Sequence, residues 1–229
     1  MNLKGPCMED RAQDNAPQYS QQPRSTRLSG EDRREDIVSK AMVYFADHGF
    51  AGGTRELAKK IGVTQPLLYK HFSSKAELIQ AVFDRLAKRQ RDAHWDILLK
   101  DRAKPIEARM VSFFSAYSEY TYTYEWIRLY TFAGLSDGSL NVWHIQRVGN
   151  PLMTLICLEV GAEAGLTRNS DQITQDELDV MWILHGGLFY FYVRKFVYGE
   201  FPQRTFEFPI RQGVKQALAS LRAIYSNNP

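Results

Sequence analysis

The sequence predicts an all-α protein of about nine helices, three in an N-terminal head and the rest in a larger body. Two observations lead there. From Glu31 to Tyr225 apolar residues recur at steps of three and four, without the sustained alternation that strands require. The periodic runs are punctuated by stop and start residues, among them Gly49, Gly62, Pro66, Pro105, Gly138, Pro151, Gly165 and Thr174. No internal repeat and no coiled-coil heptad interrupts the pattern. With 229 residues, 44% apolar and 24% charged, the chain is long enough to bury one large core or two modest ones.

Residues 1–29 are rich in Gln, Pro, Ser, Asn and Arg without periodicity and read as a disordered arm. Arg24 and Arg27 could enter a minor groove, but a solubilising tail is the simpler reading. Ser29 or Gly30 opens the first helix, with Glu31, Asp32, Glu35 and Asp36 in its early turns, where acid suits the helix dipole. Its buried stripe is expected to be Ile37, Ala41, Val43, Tyr44 and Phe45, and Gly49 stops it. Leu57, Ala58 and Ile61 mark a second helix, which Gly62 ends in the place of a left-handed residue. Val63 covers the corner, Thr64 caps a third helix and Pro66 falls in its first turn, where a missing N–H does little harm. Leu67, Leu68 and Phe72 turn inward, which leaves Gln65, Pro66, Tyr69, Lys70 and His71 outside. Two short helices with a tight break make a helix-turn-helix, in a unit bounded at residues 30–76.

From Lys75 a longer helix carries Leu78, Ile79, Val82, Phe83 and Leu86 and is expected to run through a polar stretch at 88–92 to Leu99. Lys104-Pro105 starts the next, with Ile106, Met110, Phe113, Phe114, Tyr117, Tyr120 and Tyr124 along one face. A short apolar helix over 126–135 ends at Ser136-Asp-Gly138. Another spans 140–164, broken or restarted at Asn150-Pro151. Thr174 and Glu177 form a capping box for a helix reaching Tyr198, Pro202 lies in the break after it, and the last helix runs over 209–225.

An outward face of Gln, Tyr, Lys and His suits a major groove. Gln can bond an adenine edge twice, while Tyr, Lys and His hold phosphates. From Arg55 to Lys75 there are five basic residues and one acidic, the local balance that phosphate binding requires. For Lys59 and Lys60 a solvated helix face is the simpler reading. Thr64, Tyr69, His71 and Lys75 are the expected phosphate contacts. Gln65 and Lys70 are placed at base edges, and Arg55 could serve either role.

Catalytic patterns do not appear. There is no glycine-rich phosphate loop, no His-x-x-x-His or Cys-x-x-Cys spacing and no Gly-x-Ser-x-Gly elbow, so no enzyme activity, metal site or cofactor is expected. Cys7 lies in the polar tail and Cys157 in an apolar helix, which makes a framework disulfide improbable and fits a reducing cytoplasm. The N-terminus lacks an apolar signal region, and the run over 180–193 is too short to span a bilayer, so no membrane partner is expected.

The runs Phe45-Ala-Asp-His-Gly-Phe50, Arg55-Glu-Leu-Ala58, Ile61-Gly-Val-Thr-Gln65, Leu68-Tyr-Lys-His-Phe72 and Ser74-Lys75 keep the order and spacing of a known domain. Over roughly residues 31–85 they resemble the N-terminal domain of the tetracycline-repressor (TetR) family. Gly52-Gly53 depart from that pattern, which more often has Ser or Thr caps, and Lys70 stands where an aromatic or His is common. The resemblance implies a cytoplasmic regulator of transcription, usually a repressor, on double-stranded DNA. It further implies that the body, residues 77–229, holds a cavity for a small effector and forms a homodimer through helices at 174–198 and 206–226. The alternative is an activator or architectural DNA-binding protein without an effector.

Aromatic stripes in the body serve equally as plain core. Taken with the resemblance, the candidate ligand residues are Phe113, Tyr117, Tyr120, Tyr124, Arg128, Phe132, His144, Trp182, His185 and Phe189. Arg128, His144, Arg147 and His185 interrupt apolar helices, and a buried Arg needs a carboxylate or strong acceptors, with Glu125, Glu159 or an anionic ligand as candidates. Gly186 and Gly187 inside a helix cost roughly 2 kcal/mol against alanine, which the close approach of a second helix would offset. On the last helix Ile210, Val214, Ala217, Leu218, Leu221 and Tyr225 make a stripe expected to exceed what one subunit's core uses. The helix from Lys75 is the expected mechanical link between effector and DNA.

Overall fold

The computed structural model describes residues 29–91, 95–200 and 205–227. Among them are eleven α-helices: α1 (Gly30–His48), α2 (Thr54–Lys60), α3 (Gln65–His71), α4 (Lys75–Arg91), α5 (Trp95–Lys100), α6 (Ile106–Thr121), α7 (Tyr124–Gly134), α8 (Ser139–His144), α9 (Asn150–Glu163), α10 (Gln175–Phe196) and α11 (Glu207–Asn227). A π-helical turn at Ile145–Gly149 joins α8 to α9, and a 3-10 turn at Ser170–Gln172 precedes α10. No strand occurs among the described residues. The expected arm with Arg24, Arg27 and Cys7, the middle of the helix expected over 75–99, and Pro202 lie outside the described residues. Among the described residues no helix is long and apolar enough to cross a membrane.

Capping follows the sequence closely. Ser29 accepts from the Asp32 amide at 3.1 Å, and Thr64 from the Leu67 amide at 3.3 Å. Gly62 takes the left-handed conformation expected of it, at φ 75°. Thr174 and Glu177 close a reciprocal capping box at the head of α10. Ser74 accepts from the Glu77 amide while Glu77 takes the Ser73 amide at 2.7 Å, which fixes the start of α4.

In the head, α1 packs against α2, α4 and α7. That sandwich widens the buried face of α1 to include Val38 and Ala46, and it leaves Val43, expected inside, 47% exposed. Val43 falls on the far side of the helix from Val38 and Phe45, away from the core. Tyr124 opens α7 instead of continuing the stripe of α6, because α6 ends at Thr121. Within the body the apolar stripe of α11, from Ile210 to Tyr225, is buried in its own subunit. It packs there against α6, α9 and α10. The expectation that this stripe would supply the dimer surface therefore does not hold.

One buried ion cluster ties α5, α6 and α9 together. Arg109, buried on α6, donates to Glu159 Oε2 at 2.7 Å and to the Leu99 carbonyl at 2.6 Å. Arg102 grips the same carboxylate with two nitrogens, at 3.0 and 2.9 Å. Hydrogen bonds from Arg102, and then from Arg109, hold the Glu159 carboxyl below the usual range against the opposing effect of burial. Cys157 is free and buried, its thiol pushed up to about 12 by burial and by the nearby Glu177, which leaves it inert.

Candidate functional site

The outer face of α2 and α3 is a polar mesh. Gln65 Nε2 donates to Thr54 Oγ1 at 3.2 Å, and Thr54 Oγ1 meets the Tyr69 hydroxyl at 3.0 Å. This holds the two helices in register across the turn and fixes the Gln65 amide. One amide hydrogen and Oε1 stay available for a base edge. Arg55, Thr64, Pro66, Tyr69 and Lys70 are exposed, while Gln65, His71 and Lys75 are half-buried. The Lys75 ammonium donates to the carbonyls of Phe50 and Gly52, so its first task is to hold the loop between α1 and α2. In that loop a Cβ on Gly52 would stand 2.7 Å from the Tyr44 hydroxyl, while Gly53, the N-cap residue of α2, has no such neighbour and makes no side-chain cap.

A pocket of about 140 Å³ enters the body beside the exposed Ile145, lined by Tyr122, Trp126, Tyr130, His144, Ile145, Trp182, His185 and Phe189. The Tyr117 hydroxyl meets His144 Nε2 at 3.0 Å, and the Tyr122 hydroxyl meets His185 Nε2 at 2.9 Å. Burial pushes His144 down to about 3, helped by His185, and pushes His185 down to about 4. Both imidazoles are therefore neutral. The π-helical turn borders this space. A Cβ on Gly149 would stand 2.6 Å from Trp182, so glycine is what lets the indole lie against the turn, where Trp182 Nε1 donates to Asn150 Oδ1 at 3.1 Å.

Between cavity and head stands α7, with a different function on each side. Trp126 and Tyr130, four residues apart, stack at 5.6 Å and face the cavity. Tyr124, Arg128 and Phe132, offset by two residues and again spaced by four, face α1. The Arg128 guanidinium donates to the carbonyls of Ala46 and Asp47 at the end of α1, and to that of Phe196 at the end of α10. A cation there meets the negative ends of two helix dipoles. Its partners are backbone carbonyls and neither Glu125 nor Glu159. The Tyr124 hydroxyl donates to Asp47 at 2.6 Å. Phe132 packs on Phe50 at 6.2 Å and against Gly49, whose φ of 69° and lack of a Cβ both suit the close approach.

A model of bacterial regulatory proteins of the tetR family matches residues 37–82. The HTH-type transcriptional activator FasR of Mycolicibacterium smegmatis is 44% identical over 63 residues, 27% of this chain and 29% of that protein. The HTH-type transcriptional regulator SrpR of Pseudomonas putida is 36% identical over 74 residues, 32% of this chain and 33% of that protein. The matched segments thus span about a third of these relatives. A TetR-family regulator structure from Mesorhizobium loti superposes with a TM-score of 0.56 at 16% identity, over 87% of this chain and 98% of its own. A regulator from Pseudomonas aeruginosa does so at 0.56 and 19%, over 90% of this chain and 97% of its own. At such identities the likeness is one of fold. Residues 37–82 thus match the TetR-family model, and the fold is that of the TetR-family structures.

The ten residues expected around a TetR-type effector separate into three groups. His144, Trp182, His185 and Phe189 line the cavity; Tyr117 backs His144 and Phe113 lies deeper in the core. Tyr124, Arg128 and Phe132 sit at the junction with the head. Tyr120 faces the other way, donating to the Arg89 carbonyl at 3.0 Å. Arg147 is exposed on the π-helical turn. Tyr122, Trp126, Tyr130 and Ile145 complete the lining and were not singled out in the sequence. The step of four from Trp126 to Tyr130, out of phase with Tyr124 and Arg128, is the signal that marks them.

The two histidines give the fold a pH dependence. In the unfolded chain each takes up a proton below about pH 6.5, whereas the folded values lie near 3 and 4. The unfolded state therefore binds more protons as pH falls, and stability rises with pH through the window from about 4 to 6.5. Between pH 7 and pH 5 the loss should be roughly 2 kcal/mol per histidine. His144→Gln should flatten the slope of the urea-unfolding free energy against pH by close to half across this window. An unchanged slope would show that His144 is not held neutral by the fold.

Proposed function

We propose that this chain is a ligand-responsive transcriptional regulator that binds an inverted-repeat operator as a homodimer. A small hydrophobic or aromatic effector releases it from DNA and so lifts repression. Residues 30–76 serve as the DNA-binding unit and 77–229 as the effector-binding and dimerisation unit. The observation that carries the reading is the outward polar face of α3, with Lys70 exposed and with Gln65 and Tyr69 held by hydrogen bonds to Thr54 of α2, on a head that matches the TetR-family model. Two such helices entering successive major grooves must stand about 34–36 Å apart, which makes the operator a palindrome. Activation is the second reading, and it is favoured by the FasR relative, named a transcriptional activator. A reporter behind the bound palindrome decides the sign: loss of the protein raises transcription under repression and lowers it under activation.

The surface between α10 and α11 supports a dimer. It is an apolar groove that includes Val180, Ile183, Gly187, Phe191, Phe208 and Gly213, in which Ile183 is 75% and Phe208 54% exposed. Nothing in the subunit lies within 4 Å of a Cβ placed on Gly186 or Gly187, so the space those glycines leave is open to a partner helix. A patch this apolar at the surface of one subunit marks an interaction site. The dimer face is thus the outward side of these helices, while the α11 stripe from Ile210 to Tyr225 serves the subunit's own core.

The route we propose from effector to DNA runs through α7, which carries Trp126 and Tyr130 on the cavity and Arg128 on the ends of α1 and α10. It works beside α4, the link that the sequence suggests. A ligand acts only if it binds the DNA-free arrangement more tightly than the DNA-bound one.

Gln65→Ala should reduce discrimination between operator and random DNA by about 1–3 kcal/mol, while Tyr69→Phe weakens both alike, read by fluorescence anisotropy. Equal losses for Gln65→Ala on both DNAs would end its assignment to a base edge. Ile183→Glu should give a folded monomer in sedimentation velocity with unchanged far-ultraviolet dichroism, and a persisting dimer would place the interface elsewhere. Arg128→Lys should keep operator binding and lower the factor by which a bound effector changes it. A full response in that variant would exclude the α7 route.

A further inference from the structure

Thr54 opens α2, yet its hydroxyl does no capping there. The N-cap of α2 is Gly53, which has no side chain to bond an amide. The contrast is with Thr64, whose hydroxyl is occupied by the Leu67 amide at the head of α3. Thr54 Oγ1 turns to the other helix and meets Gln65 Nε2 at 3.2 Å and the Tyr69 hydroxyl at 3.0 Å, 11 and 15 residues along the chain. Thr54 itself is half-buried, while Tyr69 is exposed.

Counting protons gives this mesh a direction. A threonine hydroxyl has one proton to give and two lone pairs to offer. Gln65 Nε2 can only donate, so Thr54 accepts from it. The Thr54 proton then goes to the Tyr69 oxygen, and the phenolic proton of Tyr69 is left for the solvent side, the polarity that a phosphate oxygen requires. On Gln65, one N–H is committed to Thr54, while Oε1 and the second N–H remain. If the amide were turned over, Oε1 would be spent on Thr54 and two N–H groups would remain. The two arrangements therefore present different faces, one acceptor with one donor, or two donors.

Those two faces match different purines. In the major groove adenine shows the N7 acceptor beside the N6 amino donor, whereas guanine shows two acceptors, N7 and O6. The arrangement held by Thr54 complements adenine. Against guanine it would set Oε1 facing O6, and an acceptor left without a donor in a closed interface is costly. An amide free of Thr54 can turn and give both N–H groups to guanine. The hydroxyl of Thr54 thus bears on base choice, although it lies on α2 and acts through a side chain of α3.

We propose that Thr54 is the positioning residue that makes Gln65 read adenine and reject guanine. This rests on the operator-binding reading above and deepens it.

The probe is the palindrome that the unaltered full-length protein selects from a pool of random duplexes, with affinities read by fluorescence anisotropy. The base pair that Gln65 meets is the one at which Gln65→Ala loses preference. There the unaltered protein should bind adenine at least about tenfold more tightly than guanine. Thr54→Val keeps the side-chain shape and removes the hydroxyl, and it should bring that ratio to within about threefold. Thr54→Ser, which keeps the hydroxyl, should restore it. In a Gln65→Ala background Thr54→Val should leave the ratio where it is, a result that general damage to the head would not give. Equal weakening of both duplexes by Thr54→Val, with the ratio intact, overturns the assignment. A preference for guanine in the unaltered protein overturns it as well, and that measurement stands even if the variant does not fold. Failure of any sequence to be enriched from the pool removes operator binding and this assignment together. An enriched palindrome whose adenine preference survives Thr54→Val leaves operator binding in place and removes the role of Thr54 alone.

Discussion

A single guanidinium joins the two parts of this molecule. Arg128 gathers the terminal carbonyls of α1 and of α10 onto one planar donor set. Those carbonyls have no partners within their own helices, and they carry the negative ends of two dipoles. Replacing water at both ends with one fixed cation sets the position of the head's first helix relative to the body's longest one. Tyr124 on Asp47 and Phe132 on Gly49 add direction to that joint. Because all three side chains belong to α7, the helix that walls the cavity is also the helix that positions α1.

Charge is segregated in the body, and the segregation gives the cavity its character. The buried ionic groups are matched: Arg109 meets Glu159, which the exposed Arg102 also grips, and Arg168 meets Glu177 at 2.8 Å with its guanidinium 4.6 Å over the Tyr225 ring. None of them faces the cavity. There the polar groups are neutral imidazoles and hydroxyls bonded to one another.

On the outer face of the head the same economy of partners applies. Gln65 and Tyr69 are held by Thr54, so the side chains proposed to meet a duplex are ordered without it. Preordering reduces the conformational entropy lost on association. Lys75 stabilises the loop that leads into α2, a task the sequence does not reveal because the carbonyls it meets lie 25 and 23 residues away.

What the sequence determined by itself was local. The order of helices, the caps at Ser29, Thr64 and Thr174, the left-handed Gly62 and the outward face of α3 all follow from spacing within a few turns, where neighbours in sequence are neighbours in space. The family resemblance was carried by the same short runs. The tertiary structure decided what depends on distant segments. Arg128 required a partner, but only the meeting of α1, α7 and α10 made that partner a set of carbonyls. His144 and His185 were visible as polar breaks in apolar helices. Their neutral, paired state depends on Tyr117 and Tyr122 from other elements. The stripe on α11 had the composition of either a core or an interface, and it became core because α6, α9 and α10 close over it. Periodicity fixes which side chains share a face of one helix; which element that face meets is set by packing across the whole chain.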